Sequence, residues 1–381
     1  MNIMIVIDGF YDGGAEMFAI RLANALTPTD TIFFLEVNPN KDRPNRQIKL
    51  LNSKITLFQL WLPELFKFFG YKLSAMTSIN FISIIKKLYF TILLIVYKID
   101  IINSHSWDSD SFVLQPAKLV GVNLAISFHG HYELVETLRE NYGLITKNIL
   151  KNTSCAIITN DNHLKTLKRF HFENKFYKVY YGLDFLEYPS ITSFSEDEVL
   201  RLCIVSRAIK EKGWNQTINA VIQINAEFGK KRVELQLVGE GDQYNELFIK
   251  YQSYDFIIFS GYCENVITFI DNSHICLLPS TYSAESLPNS VIEYLSRNKP
   301  IIVTNIGEMP NMGMYNGQFA GKIIHIENLE LNTEQVKDAI KYYIENPEMI
   351  KFHSVIASKA VMKFKMEECV SFYRHIFEIA K

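Results

Sequence analysis

Short apolar runs alternate with longer amphipathic segments along most of the chain. The short runs predict buried strands, and the segments between them repeat apolar residues at helical spacing. Strands that alternate with helices predict parallel sheets. The predicted strands are 2–7, 31–37, 55–60, 100–103, 123–128, 155–159 and 178–180, followed by 200–205, 234–238, 256–259, 275–278 and 301–303.

A polar stretch, 185–198, separates two halves with the same alternation. It contains Pro189, serines and acidic residues, which predict a linker. We therefore expect an α/β protein with two doubly wound, Rossmann-like parallel-sheet domains, 1–186 and 187–365, that face one another across a cleft. Ligands of such sheets bind outside the carboxyl ends of the strands.

The composition narrows the class of protein. The 381 residues are 48% hydrophobic and 21% charged with a net charge of −2, which argues against disorder and against nucleic-acid binding through bulk charge. Five scattered cysteines without CxxC spacing favour a reduced, cytoplasmic protein without structural zinc. We expect no secretory signal, and the longest apolar run, 88–102, is too short and too charged to span a bilayer.

The stretch 275–307 forms a βαβ unit with chemistry at its first loop. Pro288 suits the first turn of its helix, where the missing N–H costs nothing. Glu285 precedes this helix and Glu293 lies inside it, so the free N–H groups of the helix start lie between two carboxylates. An anion flanked by hydroxyl-rich groups fits such a place, and that order of groups is found in a nucleotide sugar.

Three places in the first half are candidate sites, each with an alternative. Gly13-Gly14 follows the first strand and either admits a phosphate or sugar to the backbone or forms a tight turn. His129 follows a buried strand and either faces the crevice or is satisfied by local backbone. Asp108 and Asp110 allow a metal site, but an exposed aspartate at a helix start is the simpler interpretation.

The stretch 61–97 is rich in aromatic and aliphatic residues with interspersed lysines. Apolar faces with basic edges suit a helix at a membrane surface. Core helices that pack against the first sheet explain the same pattern. Both interpretations hold if one edge projects from the domain.

Together these residues resemble a family, the retaining glycosyltransferases of the family-4 type with the GT-B architecture, over nearly the whole length. The resemblance rests on the order of several motifs more than on Glu285-x7-Glu293 alone. Tyr181 and Asn298 depart from the commoner asparagine and glycine and are expected to be peripheral to the chemistry. The remaining motifs are Gly13-Gly14-Ala15-Glu16, Tyr181-Gly182-Leu183-Asp184, Arg207 with Lys212-Gly213, Val238-Gly239-Glu240-Gly241 and Gly261-x3-Asn265-Val266.

The resemblance implies transfer of a sugar from a UDP-, GDP- or dTDP-sugar with retention at the anomeric carbon and without a metal or other cofactor. Arg207 and Lys212 would neutralise the diphosphate, and Glu293 would bind the ribose. Glu285 would hold the donor sugar. The C-terminal helix, 366–381, is expected to cross back to the first domain. Further expected contacts are the amides of Gly13, Gly14, Ser286 and Leu287 with phosphate, Tyr262 with the base, and His129 with the reacting sugar.

The acceptor is expected to be a glycan on a lipid carrier. The departure of Ala284–Ser290 from the commoner glycine-rich phrase resembles enzymes of surface-polysaccharide assembly, such as those for O-antigen, capsule or lipopolysaccharide. The expected location is the cytoplasm, with peripheral contact to the inner membrane through 61–98. Two other classes remain open: a sugar-nucleotide epimerase or phosphorylase of the same architecture, and a catalytically silent scaffold.

Overall fold

The computed structural model describes residues 1–11, 13–40, 46–61, 80–130, 132, 141–184 and 189–381. The chain divides into two compact units, one of Met1–Gly182 with Met366–Lys381 and one of Leu183–Lys365. Each contains a parallel sheet with helices, which confirms the predicted fold class. The arrangement of the two sheets across a cleft stays a prediction.

The first unit is built on a sheet of seven parallel strands in the order β3-β2-β1-β4-β5-β6-β7. Its central strands are apolar on both faces because helices cover both. The strands are β1 (Asn2–Ile7), β2 (Thr31–Glu36), β3 (Thr56–Gln59), β4 (Ile101–Ser104), β5 (Asn123–Ser127), β6 (Cys155–Ile158) and β7 (Lys175–Lys178).

Helices connect these strands in the order that parallel pairing requires. They are α1 (Gly14–Leu26), α2 (Phe81–Val96), α3 (Trp107–Val120), α4 (Tyr142–Lys151) and α5 (Asn162–Arg169), with a 3₁₀ turn at Arg46–Leu50. Most of the predicted strand boundaries in this unit lie within two residues of the observed ones. The strand predicted at 178–180 is the exception, since it lies at Lys175–Lys178 with mostly exposed side chains at the edge of the sheet.

The last helix, α13 (Met366–Ala380), packs in the first unit. Tyr373 and Phe377 are buried, and the Tyr373 hydroxyl lies 3.2 Å from Ser127 Oγ of β5. Gly182 makes room for the start of this helix, because a Cβ there would lie 2.7 Å from the Cα of Met366.

The second unit has six parallel strands in the order β10-β9-β8-β11-β12-β15. The pattern did not predict β15 or the small hairpin before it, since these short segments have little periodicity. The strands are β8 (Leu200–Val205), β9 (Val233–Val238), β10 (Ile257–Phe259), β11 (Ile275–Leu278), β12 (Ile301–Thr304), β13 (Met314–Tyr315), β14 (Gln318–Phe319) and β15 (Gly321–Ile324).

The helices of this unit cover both faces of its sheet. Asn298 follows α9 with a left-handed φ of 54°, a conformation that asparagine tolerates better than most residues with a side chain. The helices are α6 (Trp214–Phe228), α7 (Tyr244–Tyr251), α8 (Ile267–Asp271), α9 (Asn289–Ser296), α10 (Met309–Met312), α11 (Thr333–Glu345) and α12 (Glu348–Ala360), with 3₁₀ turns at Lys210–Lys212 and Val361–Phe364.

The structure describes only part of the stretch 61–97, since residues 62–79 lie outside the described residues. So do residues 185–188 of the predicted linker. Across the described ranges, no helix has the length and apolar character needed to cross a membrane.

Candidate active site

The second sheet opens between β8 and β11, where the strand order reverses. These strands pair only at Leu202–Ile275 and Cys203–Cys276. Beyond that point the buried Tyr294 hydroxyl lies between them: it accepts from Val205 N–H at 2.7 Å and lies 3.3 Å from the carbonyl oxygens of Val205 and Leu277. The tyrosine hydroxyl thus accepts one hydrogen bond and can donate one where the strands diverge, in place of backbone pairing. Such a switch point is the usual ligand site of an open parallel sheet.

Two glycines allow the loops at this edge to pass close to one another. Gly239 follows β9 at φ 138°, and a Cβ there would lie 2.0 Å from the carbonyl oxygen of Ser206. Gly307 follows β12 at φ 58°, and a Cβ there would lie 2.2 Å from the carbonyl oxygen of Glu285. Only glycine fits both the conformation and the space at these positions. The backbone of the Glu285 loop is thereby held against the loop after β12.

Lys212 and Glu285 form an ion pair within this edge. The Lys212 ammonium donates to Glu285 Oε2, and each side chain is 9% exposed. The buried hydroxyl of Ser280 donates to the same oxygen at 2.8 Å. Both hydrogen bonds go to Oε2, so Oε1 offers a further acceptor to a ligand. The cation predicted for the diphosphate and the carboxylate predicted for the donor sugar thus lie in direct contact.

Arg207 reaches the same place from the end of β8. Its side chain is exposed, and its Cζ lies 6.0 Å from the ring centre of Tyr282. The Lys212 ammonium lies 5.5 Å from the same centre. Two cations therefore flank one aromatic ring, which is the geometry of cation–π contact.

The other predicted residues of this unit occupy the loops around the pair. Ser286 and Leu287 are buried beside Glu285, and the Ser286 carbonyl accepts from Glu308 N–H at 2.9 Å. Pro288 lies just before the first turn of α9, one position earlier than predicted. Glu293 lies half-buried within α9, and Tyr262 follows β10 with its side chain exposed.

The first unit has a different chemistry at its own strand ends. His129, which follows β5, lies in a chain of hydrogen bonds that includes Asn103, His105 and Tyr181. Asn103 Oδ1 lies 2.7 Å from His105 Nε2, and His105 Nδ1 lies 2.9 Å from His129 Nε2. His129 Nδ1 contacts the Tyr181 hydroxyl.

The positions of the protons in this series of hydrogen bonds follow from the groups at its two ends, Asn103 and Tyr181. Asn103 uses its amide group as a donor to Ala125 O and Ser127 Oγ, so its Oδ1 accepts from His105 Nε2–H. Burial lowers the pKa of His105 to about 3, so this imidazole is neutral and its Nδ1 accepts from His129 Nε2–H. In neutral His129, Nδ1 then accepts from Tyr181. Both ring nitrogens of His129 are therefore engaged within the unit.

Tyr181, which the sequence led us to expect at the periphery of the chemistry, belongs to this cluster. Its ring stacks on Phe18 at 4.2 Å between centres, and its hydroxyl reaches His129. Burial, followed by the nearby Glu16 charge, raises its pKa far above the usual range. Tyr181 therefore remains a hydrogen-bond donor to the histidine. A sugar hydroxyl that approached a ring nitrogen of His129 would have to displace Tyr181 or His105.

The glycine turn after β1 contains a carboxylate of its own. Gly13 precedes α1 with an ordinary φ of −94°, and a Cβ there would lie 2.4 Å from Glu16 Oε2. Gly14 is the first residue of the helix. Glu16 therefore lies beside this helix start, and the contact of Gly13 and Gly14 with a phosphate or sugar stays a prediction.

Asp108 and Asp110 lie in the first turn of α3, which Ser106 caps. The expectation of an exposed aspartate is wrong for Asp110, which is completely buried. Its Oδ2 accepts from the Tyr132 hydroxyl at 2.7 Å, and its Oδ1 has no hydrogen-bond partner among the residues that the structure describes. Burial raises its pKa to about 7. Among the residues that the structure describes, no group of three or more histidine, cysteine, aspartate or glutamate side chains could hold a metal ion.

Five residues at these edges were not predicted: His105, Tyr181, Ser280, Tyr282 and Tyr294. Ser280 and Tyr282 lie within five residues of Glu285, so their position beside it was open to prediction. The others join distant parts of the chain. Their roles depend on strand order, which local pattern does not specify.

Comparison with known proteins finds a family model that matches most of the second unit. Residues 200–346, most of that unit, match the family model described as Glycosyl transferases group 1. No curated protein sequence matches the chain significantly.

Solved structures show the same fold along the whole chain. Anabaena HepE in complex with UDP and glucose aligns over 99% of both chains, with 13% identity and a TM-score of 0.75. Sucrose-phosphate synthase from Thermosynechococcus elongatus aligns over 100% of both chains, with 17% identity and a TM-score of 0.75. The lipopolysaccharide outer core galactosyltransferase WaaB aligns over 99% of both chains, with 14% identity and a TM-score of 0.66. At these identities the likeness establishes the GT-B fold.

Proposed function

We propose that the chain is a retaining glycosyltransferase that uses a nucleotide-sugar donor. The observation that carries the proposal is the Lys212–Glu285 pair with Arg207 at the switch point of the second sheet. It lies within the segment that matches the group 1 glycosyltransferase model. Cations and a carboxylate side by side suit a ligand with an anionic diphosphate and a hydroxyl-rich sugar.

Each residue has a distinct role in this proposal. Arg207 and Lys212 stabilise the negative charge that grows on the departing diphosphate, an interaction stronger in the transition state than in the ground state. Glu285 orients the donor sugar through Oε1, while Ser280 and Lys212 hold Oε2. Glu293 binds the ribose, the amides of Ser286 and Leu287 receive phosphate oxygens, and Tyr262 borders the base.

The reaction is a front-side displacement. The bond between the anomeric carbon and the phosphate oxygen breaks, and a bond to the acceptor oxygen forms on the same face. The acceptor proton passes to the departing phosphate, which becomes a nucleoside diphosphate. With Arg207 and Lys212 at the diphosphate, transfer requires no metal.

For the acceptor we propose a saccharide on a lipid carrier, as in surface-polysaccharide assembly, reached at the cytoplasmic face of the membrane. The support is an apolar stripe on α2. Its members recur at helical spacing with 43% to 62% of each side chain exposed: Ile84, Leu88, Ile92, Ile95 and Val96. Lys98 follows the helix. An exposed apolar helix face near lysines suits an anionic membrane surface.

One experiment tests the donor half. The purified protein is incubated with UDP-, GDP- and dTDP-sugars, with and without octyl glycoside acceptors, and NMR identifies the product and its anomeric configuration. The UDP-sugars come first because Anabaena HepE was solved with UDP. A glycoside formed with retention supports the proposal. A change in the donor sugar without any acceptor indicates an epimerase, and an absence of nucleotide binding indicates a scaffold.

Two matched pairs of variants assign the activity to the site. Lys212→Ala is compared with Lys210→Ala, an exposed lysine of the same 3₁₀ turn. Glu285→Gln is compared with Glu211→Gln, whose side chain is exposed nearby. Only the Lys212 and Glu285 variants should lose transfer, by about 100-fold or more. Equal losses in both members of a pair would exclude these roles. Transfer in excess EDTA tests the metal-independent step.

A further inference from the structure

Tyr282 lies in the loop after β11, beside the two cations of the second unit. Its ring centre lies 6.0 Å from Cζ of Arg207 and 5.5 Å from the Lys212 ammonium. The side chain is half-buried, and the segment 189–381, which contains all three residues, is described without a gap. The question is what this ring does for the cations.

The backbone of the loop is fixed on both sides of the ring. Thr281 N–H donates at 2.7 Å to the carbonyl oxygen of Glu211, which lies in the 3₁₀ turn that carries Lys212. On the other side, Glu285 N–H donates to the carbonyl oxygen of Tyr282 at 2.9 Å. Backbone hydrogen bonds therefore place the Tyr282 ring before any ligand is bound.

The two cations beside the ring are held in different ways. Lys212 donates to the carboxylate of Glu285 and is nearly buried. Arg207 is exposed, and across the described ranges its guanidinium forms no ion pair and no side-chain hydrogen bond. The contact that its side chain makes is with the ring of Tyr282.

An aromatic ring restrains an arginine without using its hydrogen-bond donors. A long, exposed side chain has many rotamers, and they are lost when it binds a ligand. The face of the ring attracts the cation through its quadrupole and offers a flat surface to the planar guanidinium. A carboxylate in the same place would engage the N–H groups, and a phosphate would have to displace it. Beside Tyr282, the N–H groups of Arg207 stay available to an anion.

We propose that Tyr282 is a positioning residue, whose ring orients Arg207 toward the diphosphate of the donor. This inference rests on the function proposed above, in which Arg207 stabilises the charge on the departing diphosphate. The ring matters less for Lys212, because Glu285 already holds that ammonium. The role belongs to the ring face, so the phenol hydroxyl is not required for it.

Calorimetry with inorganic pyrophosphate, which has neither base nor sugar, measures this role through binding alone. Tyr282→Phe keeps the ring and should bind pyrophosphate as the wild type does. Tyr282→Leu removes the ring and should bind it about threefold to tenfold more weakly, the range of a cation–π contact at a partly exposed site. Tyr315→Leu, at an exposed tyrosine of β13, is the control and should bind normally. If Tyr282→Leu has a lower melting temperature, Tyr282→Met replaces it.

A double-variant cycle tests whether Tyr282 acts through Arg207. Tyr282→Leu combined with Arg207→Ala should bind pyrophosphate no more than about twofold more weakly than Arg207→Ala alone, because the residue that the ring orients is already gone. If the two losses multiply instead, the ring acts on another group and the inference is overturned.

The same measurements with UDP and GDP separate this inference from the proposed function. Weaker binding in Tyr282→Leu, restored in Tyr282→Phe, supports the role of the ring. Equal affinity in wild type and Tyr282→Leu overturns that role and leaves the donor site in place. Equal losses in Tyr282→Phe and Tyr282→Leu assign the effect to the hydroxyl and also overturn it. If the wild type binds none of the three anions, the donor site itself is rejected, and the role of Tyr282 with it.

Discussion

The two units share one plan, a parallel sheet with polar loops at its carboxyl edge, but the chemistry of the two edges differs. In the second unit, the ion pair of Lys212 and Glu285 lies beside the exposed Arg207. In the first unit, His105 is kept neutral by burial, and Asp110 is largely protonated below its raised pKa. One edge thus holds an ion pair whose charges compensate each other, whereas in the other burial favours the neutral forms of His105 and Asp110.

The difference follows from what each edge is proposed to bind. A diphosphate requires cations, and a cation at a buried position requires a carboxylate when no ligand is present. A neutral saccharide requires oriented donors and acceptors, which hydroxyl and amide groups supply without net charge. The same fold therefore accommodates two kinds of ligand through the side chains at its strand ends.

The largest predicted loss of stability comes from breaking the ion pair of Lys212 and Glu285. Lys212→Ala leaves the carboxylate of Glu285 buried without its cation, which typically costs about 3–5 kcal/mol. We expect a large fall in the melting temperature and a loss of UDP or GDP binding. Differential scanning fluorimetry and calorimetry measure the two.

The double variant Lys212→Met with Glu285→Gln separates stability from binding. It removes both charges at similar volume, so the melting temperature should recover while transfer stays lost. If Lys212→Ala alone were as stable as the wild type, the pair would contribute little and the contrast between the units would fail.

In the first unit, removing the charge of a buried carboxyl group should stabilise the protein instead of destabilising it. The folded-state pKa of Asp110 is about 7, against 3.8 as the ordinary value. The protonated group favours the folded state, so this contribution is complete below pH 3.8 and is lost as the pH rises through 7. Asp110→Asn should therefore stabilise the protein at pH 8, by about 2–4 kcal/mol at roughly 1.4 kcal/mol per unit of pKa.

Thermal unfolding at pH 5 and pH 8 measures this effect. The gain from Asp110→Asn should be larger at pH 8. The pKa of His105 is lowered to about 3, so its contribution is lost as the pH falls below 6.5; wild type and Asp110→Asn lose it alike, and it cancels in their difference. Asp108→Asn, at the half-buried neighbour, is the control. A lower melting temperature of Asp110→Asn at pH 8 would contradict the contrast.

The fold was largely predictable from the sequence, because buried parallel strands are nearly continuous apolar runs. Glu285 and Glu293 were predictable as candidates because they flank one helix start. The pairing of Glu285 with Lys212 was not, since it depends on β8 and β11 being neighbours, far apart in the chain. The contact of Tyr181 with His129 and the burial of Asp110 likewise depend on packing that a local pattern does not contain.

The two edges also differ in how tightly their glycine loops are packed. Gly239→Ala places a Cβ 2.0 Å from the Ser206 carbonyl oxygen at a positive φ, whereas Gly13→Ala meets only the flexible Glu16 side chain at an ordinary φ. We expect Gly239→Ala to cost about 1–3 kcal/mol and Gly13→Ala less. Gly317→Ala isolates the effect of φ, because it has φ 77° and open space. Chemical denaturation of the three variants gives the order, and equal losses at Gly239 and Gly317 would show that contact with Ser206 does not matter.

Substitutions in the apolar stripe of α2 should have the smallest effect on stability. They should nevertheless reduce binding of the protein to membranes. Ile92→Ser with Ile95→Ser changes exposed side chains, so the free energy of unfolding should change by no more than about 0.5 kcal/mol per site. Cosedimentation with vesicles of anionic lipid should nevertheless fall, because binding scales with the buried apolar area. The exposed Phe248 and Ile249 of α7 are the matched control in the second unit, and their serine variants should sediment as the wild type does. Equal loss in both pairs would mean that membrane contact is not confined to the first unit, and the division of roles between the units would need revision.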